Sequence, residues 1–122
     1  MARSPLLQLV RDSIEEVIEA KRKIDRESLL KEYPVLEQKI ASEVSIKVDN
    51  EVRGHASSAE ALKPLVDDII YNAKVAAFQD TKNSPISTAE YLHCSIELSL
   101  LIPNEEGGFD IETSTDGPIV KD

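Results

Sequence analysis

Residues 43–57, EVSIKVDNEVRGHAS, decide the fold. Val44, Ile46 and Val48 alternate with Glu43, Ser45 and Lys47; Asp49-Asn50 interrupts; Val52, Gly54 and Ala56 then alternate with Arg53, His55 and Ser57. A period of two is that of a strand with one face buried and the other wet. The stretch therefore predicts a β-hairpin. Asp49 and Asn50 suit its turn because both tolerate positive φ.

On either side the period changes. Upstream, Ser4-Pro5 reads as an N-cap with proline at the first helical position, and Leu6, Leu7, Val10, Ile14, Val17 and Ile18 recur at helical spacing. This predicts a helix over 5–22. Asp25 caps a short second helix that stops at Tyr33, because the residue before Pro34 is pushed out of the helical region. A linker over 34–42 leads into the hairpin.

Downstream, Leu65, Val66, Ile69, Ile70, Ala73, Ala76 and Ala77 form one side of a long helix starting near Pro64. Leu62 extends that side, while Lys63, Asp67, Asp68, Tyr71 and Lys74 fall elsewhere. Ser57 and Glu60 have capping-box spacing for a short turn before it, and Ser87 and Glu90 repeat that spacing. The next strand carries Cys94, Ile96, Leu98, Leu100 and Ile102 on one face and His93, Ser95, Glu97 and Ser99 on the other. FDIETST and TDGPIV supply a further strand and a short final one. The order predicts an α+β fold, a mainly antiparallel sheet with helices packed on one face, and places Ile69 and Ile96 in one core.

The 122 residues fit a single domain over 1–122. A formal net charge of −9 repels phosphate polyanions, which argues against nucleic acid. No apolar run approaches a membrane span, and the N-terminus is not patterned as a signal peptide, so a soluble, cytoplasmic protein with no membrane partner is expected. One cysteine, Cys94, cannot form an internal disulfide and fits a reducing compartment. It reads as a core residue. Two histidines without fixed spacing give no metal site, and no cofactor is expected. The basic cluster Lys21, Arg22, Lys23 and Arg26 reads as a solvated helix end.

The ordered motifs resemble the AMMECR family over about residues 6–103. The family's Leu-Arg-Gly-Cys-Ile-Gly-Ser signature corresponds to Val52, Arg53, Gly54, His55, Ala56, Ser57 and Ser58. Its Pro-Leu helix start, alanine-rich helix end, Phe-x-Asp loop, capped turn and Ile-Glu-Val-Ser strand correspond to Pro64-Leu65, Ala76-Ala77, Phe78-Gln79-Asp80, Ile86-Ser87 and Ile96-Glu97-Leu98-Ser99. His55 replaces the signature cysteine and Ser57 its second glycine. The resemblance implies an α+β fold, an uncharacterised activity, and a reduced, divergent member that lacks the family's C-terminal segment. A homodimer covering the surface so exposed is the expected assembly.

Arg53, His55 and Ser57 share one side of their strand, and Glu97 lies on the polar side of another. If the two strands are neighbours, Arg53 and Ser57 bind a small anionic ligand while His55 and Glu97 act as catalytic acid–base groups. Guanidinium presents a planar fork to anions, and imidazole has both protonation states near neutral pH. The plainer reading is a wet outer face with an Arg53–Glu97 pair, and Gly54 as a point of close backbone packing. Two classes of function stay open: a small enzyme or anion binder, and a non-catalytic interaction module.

Overall fold

The computed structural model describes residues 4–80 and 82–120. Its helices are α1 (Pro5–Glu19), α2 (Arg26–Glu32), α3 (Leu65–Lys74) and α4 (Thr88–His93), and its strands β1 (Ala41–Val48), β2 (Glu51–Ser57), β3 (Ser95–Pro103) and β4 (Phe109–Thr115). The strands form one antiparallel sheet in the order β2-β1-β3-β4. The α+β class is thus as the periodicities predicted. Asp49 and Asn50 both take positive φ in the hairpin turn, 53° and 65°.

One face of the sheet carries the core. Val44, Ile46, Ile96 and Leu98 pack with Leu7, Val10 and Ile14 of α1 and Leu65, Val66, Ile69 and Ala73 of α3. Ile69 and Ile96 belong to this one cluster, as expected. Among the described residues no helix is long and apolar enough to cross a membrane.

Several boundaries differ from the sequence reading for identifiable reasons. Helix α1 stops at Glu19, not 22, because Ala20 turns left-handed and the Ala20 and Lys21 amides donate back to Val17 and Glu16. The basic cluster therefore lies beyond the helix. Lys23 returns to Glu15 and Glu19, and Arg26 reaches Asp67 of α3. The expected linker holds a 3₁₀ turn, Pro34–Glu37, and the first residues of β1. No helical turn forms between Ser57 and Leu65, so Ser57 ends β2 instead of capping and Leu62 is exposed.

Asp68 is buried, against expectation. It accepts hydrogen bonds from the Ser42 amide and hydroxyl, the Ser58 hydroxyl and the Asn72 amide, which satisfy the carboxylate where α3 crosses β1. His93 belongs to α4, where its Nδ1 donates to the Ala89 carbonyl, and Cys94 caps that helix inside the core.

The final strand expected in TDGPIV does not form. Those residues fold back over α4, with the Val120 amide on the Leu92 carbonyl, and their anchor is Arg11. This arginine of α1 is fully buried, and its Nε and Nη2 donate to the two carboxylate oxygens of Asp116 at 2.9 Å each. Nη2 also donates to the Cys94 and Gly117 carbonyls, and Nη1 to the Tyr91 carbonyl and the Cys94 sulfur. Burial alone would lower the Arg11 pKa. The Asp116 hydrogen bonds, together with the attraction of Cys94, Asp116 and Tyr91, outweigh it and hold the guanidinium above its ordinary value. The same burial pushes the Cys94 thiol up, which makes it a packed core group and not a nucleophile.

Candidate functional site

The face away from the helices is built from the odd-numbered residues of β1 and β3. Ser45 pairs with His55 on one side and with Glu97 on the other, and Glu97 pairs with Thr115. His55, Ser45, Glu97 and Thr115 thus form one row across all four strands. Strands β2 and β3 are not neighbours, however, because β1 lies between them. Neither the expected merging of their polar sides nor the Arg53–Glu97 pair occurs.

Arg53 leaves the face altogether. The β1–β2 register slips between Ile46 and Lys47, which makes Arg53 the extra residue of a β-bulge. A bulge re-aims its side chain, here past the edge of the sheet towards α4. Nε and Nη2 meet the Glu90 carboxylate at 2.7 and 3.2 Å, Nη1 donates to the Ser84 carbonyl, and Nη2 also to the Pro85 carbonyl. Asp80, at the start of the same loop, accepts from the His55 amide. Together these contacts lash Asp80, Ser84, Pro85 and Glu90 along the outer edge of β2.

Glu90 also completes a capping box with Ser87. The Arg53 hydrogen bond, helped by the Ser87 amide, lowers its pKa to about 2. A carboxyl depressed in the folded state stabilises the fold above its unfolded pKa, about 4.3, and loses that contribution as pH falls towards 2. Glu90→Gln should therefore unfold with a shallower pH dependence than the parent between pH 5 and 2. The exposed position limits the difference to about 1 kcal/mol or less. Parallel acid titrations followed by circular dichroism measure it, and identical slopes would dismiss Glu90 as the source.

His55 stays on the open face, where its Nε2 lies 2.9 Å from Glu43 Oε2, while Lys47 meets Glu97 at 3.3 Å. An open cleft of about 680 Å³ is lined by Val52, His55, Ser57, Asp80, Lys82 and Asn83. Asp80 is held ionised first by the Lys82 amide, then by the Asn83 side chain and the His55 amide, all of which lower its pKa. Of the four expected site residues, the cleft takes His55 and Ser57; Arg53 serves the edge, and Glu97 lies two strands away. Among the described residues no three His, Cys, Asp or Glu side chains are grouped to hold a metal ion.

Glu43 and Lys82 were not singled out by the sequence. A two-residue turn at Asp49-Asn50 would by itself set Glu43 opposite Ala56; the bulge at Arg53 moves it opposite Ser57 and diagonal to His55, so its place beside the imidazole was not legible either. Lys82 sits in a loop, where no periodicity reports direction.

Comparison with curated proteins gives no match. Among solved structures, the uncharacterized protein PH0010 from Pyrococcus horikoshii superposes with a TM-score of 0.67 at 24% sequence identity. The match covers 80% of this chain and 50% of that one, so the chain spans about half the length of that protein. At that identity the likeness is one of fold. The AMMECR1 family model matches residues 7–122. With nearly its whole length so matched, on a fold shared with PH0010 and with Arg53-Gly54 in the signature position, the chain belongs to the AMMECR1 family.

Proposed function

We propose that this single domain binds a small anionic ligand in the cleft beside His55, with His55 exchanging a proton with the ligand. The observation that carries the reading is that His55, paired with Glu43, lines a cleft that also holds a cation, Lys82. Glu43 accepts from Nε2 and so fixes the ring's orientation, the arrangement that acid–base chemistry requires. Lys82 takes the anion-holding role that the sequence assigned to Arg53, whose donors are engaged by Glu90, Ser84 and Pro85. Ser57 supplies a hydroxyl, and Glu97 acts only through Lys47. A buried, lone Cys94 fits a reducing compartment, and we assign the protein to the cytoplasm.

A thermal-shift screen of small carboxylates and phosphates tests the site. His55→Ala and Lys82→Ala should abolish the shift from any hit while moving the unliganded melting temperature little, because exposed ion pairs contribute under about 1 kcal/mol. A hit that binds both variants as it binds the parent would place the ligand elsewhere.

A second reading, a non-catalytic interaction module, is favoured by exposed Phe109 and Ile111 on β4, beside Leu101 and Pro103 of β3. A homodimer is the form of it that needs only this chain. Static light scattering over a wide concentration range distinguishes it, and a strict monomer throughout would leave only the form that needs a foreign partner.

A further inference from the structure

The two edges of the sheet are treated differently. Asp80, Ser84, Pro85 and Glu90 line the edge of β2, Asp80 on the His55 amide and the other three on the Arg53 guanidinium. Strand β4 stands at the other edge with all seven residues exposed, no proline, no bulge and an unbroken register from Thr115–Glu97 to Phe109–Pro103. Proteins blunt such edges with charged side chains, lysine above all, and with proline, bulges or covering loops. Among the described residues β4 has no lysine, proline, bulge or covering loop, and its charges are the carboxylates of Asp110 and Glu112.

The register also says which backbone groups point outwards. The Asp116 amide bonds the Ile96 carbonyl and the Asn104 amide the Gly108 carbonyl, so the even-numbered residues of β4 form the hydrogen-bonded pairs with β3. The amides and carbonyls of Phe109, Ile111, Thr113 and Thr115 therefore face away from the sheet. On the open face the same strand presents Phe109 and Ile111, 58% and 67% exposed. On the opposite face it presents Asp110 and Glu112, with Glu105 and Glu106 in the adjoining hairpin loop.

We propose that β4 is a docking edge for an extended segment of a partner protein whose residues alternate between apolar and basic. Main-chain hydrogen bonds to the four outward residues supply the pairing. Apolar side chains of the incoming strand lie beside Phe109 and Ile111, and its Lys or Arg side chains beside Asp110 and Glu112, since directly opposed residues share a face. Charge argues against a second copy of this chain in that place. Antiparallel self-pairing centred on Ile111 or Glu112 sets carboxylate opposite carboxylate, and each copy carries a net −9. The proposal rests on the interaction-module reading and is independent of the His55 cleft.

Fluorescence anisotropy with a labelled nonapeptide of alternating Lys and Val tests it, against an alternating Glu and Val peptide and a Lys–Val peptide of scrambled order. The alternating Lys–Val peptide should bind at least about ten-fold tighter than either control and should slow amide exchange at Ile111 and Thr113. Ile111→Pro removes one outward amide without touching the β3 ladder and should cost about ten-fold in affinity. The double variant Asp110→Lys and Glu112→Lys should reverse the preference towards the Glu–Val peptide. Equal binding of the alternating and scrambled Lys peptides, or binding insensitive to Ile111→Pro, would reduce the effect to unspecific charge attraction and overturn the proposal. Absence of peptide binding overturns it too: a dimer seen by light scattering would then retain the interaction module with a second copy as occupant, and a strict monomer would end both.

Discussion

Arg11→Met should lower the free energy of unfolding by about 3–5 kcal/mol, measured by urea denaturation, against a total of about 5–15 for a domain of this kind. The methionine fills much of the same volume, so the loss reports the charge and its hydrogen bonds. Arg11 is 0% and Asp116 6% exposed at the side chain. Removing the guanidinium takes the cation from a carboxylate buried beside it and takes a donor from the Tyr91, Cys94 and Gly117 carbonyls. The Ile96 amide still donates to Asp116, which moderates the penalty. Adding Asp116→Asn to Arg11→Met should recover part of the stability, because an amide in that place no longer requires a cation. The two changes should then fail to add by more than about 1 kcal/mol. Strict additivity would show that the pair contributes no more than its separate packing.

What a single sequence discloses here follows from what periodicity can report. The alternation from Val44 to Ala56 and the helical spacing from Leu65 to Ala77 name buried faces, so the hairpin, the core helix and the one-sided sheet were all legible. Strand order was not: nothing in the pattern of Cys94 to Ile102 says whether its neighbour is β2 or β1. The candidate site depended on that choice, which is why Arg53 and Glu97 were brought together on paper and lie apart in the fold. The bulge at Arg53 is likewise invisible to a count of period two, since one extra residue reverses the direction of a side chain without altering its neighbours' composition. Arg11 and Asp68 were legible only as charges. Burial of each depends on partners 105 and 26 residues away, Asp116 and Ser42, that no local rule connects.

The charged groups of the open face follow a related logic. His55 with Glu43 and Lys47 with Glu97 are exposed pairs across neighbouring strands, and pairs of that kind hold register more than they hold the fold together. A wet outer face therefore accounts for Glu97 and Lys47 without chemistry, whereas it does not account for Lys82 and Asp80 converging with His55 on one cleft. That difference directs the ligand screen to the β2 edge and not to the middle of the sheet.

Gly54→Ala should cost about 3 kcal/mol, at the upper end of ordinary overpacking. The reason lies in how closely β2 approaches the end of the core helix. After Lys74 the chain widens into a π-helical turn, Val75–Gln79, and the carbonyl of Ala76 is directed at Gly54. A Cβ on residue 54 would overlap that carbonyl oxygen and lie 3.1 Å from its carbon. Both are backbone atoms, so no rotamer relieves the contact. Either β2 moves outwards or the turn around buried Ala76 and Ala77 moves, and both carry the site with them: Arg53 and His55 flank Gly54, and Asp80 follows the turn. The variant should therefore lose stability in urea denaturation and also shift the amide resonances of His55 and Asp80, even at temperatures where it stays folded. A Gly54→Ala chain with less than about 0.5 kcal/mol of destabilisation, the range of an ordinary surface change, would mean that the turn yields freely. The Arg-Gly of the signature position would then need a ligand to explain it. The expected loss instead makes the glycine a packing requirement, and leaves recognition to the residues beside it.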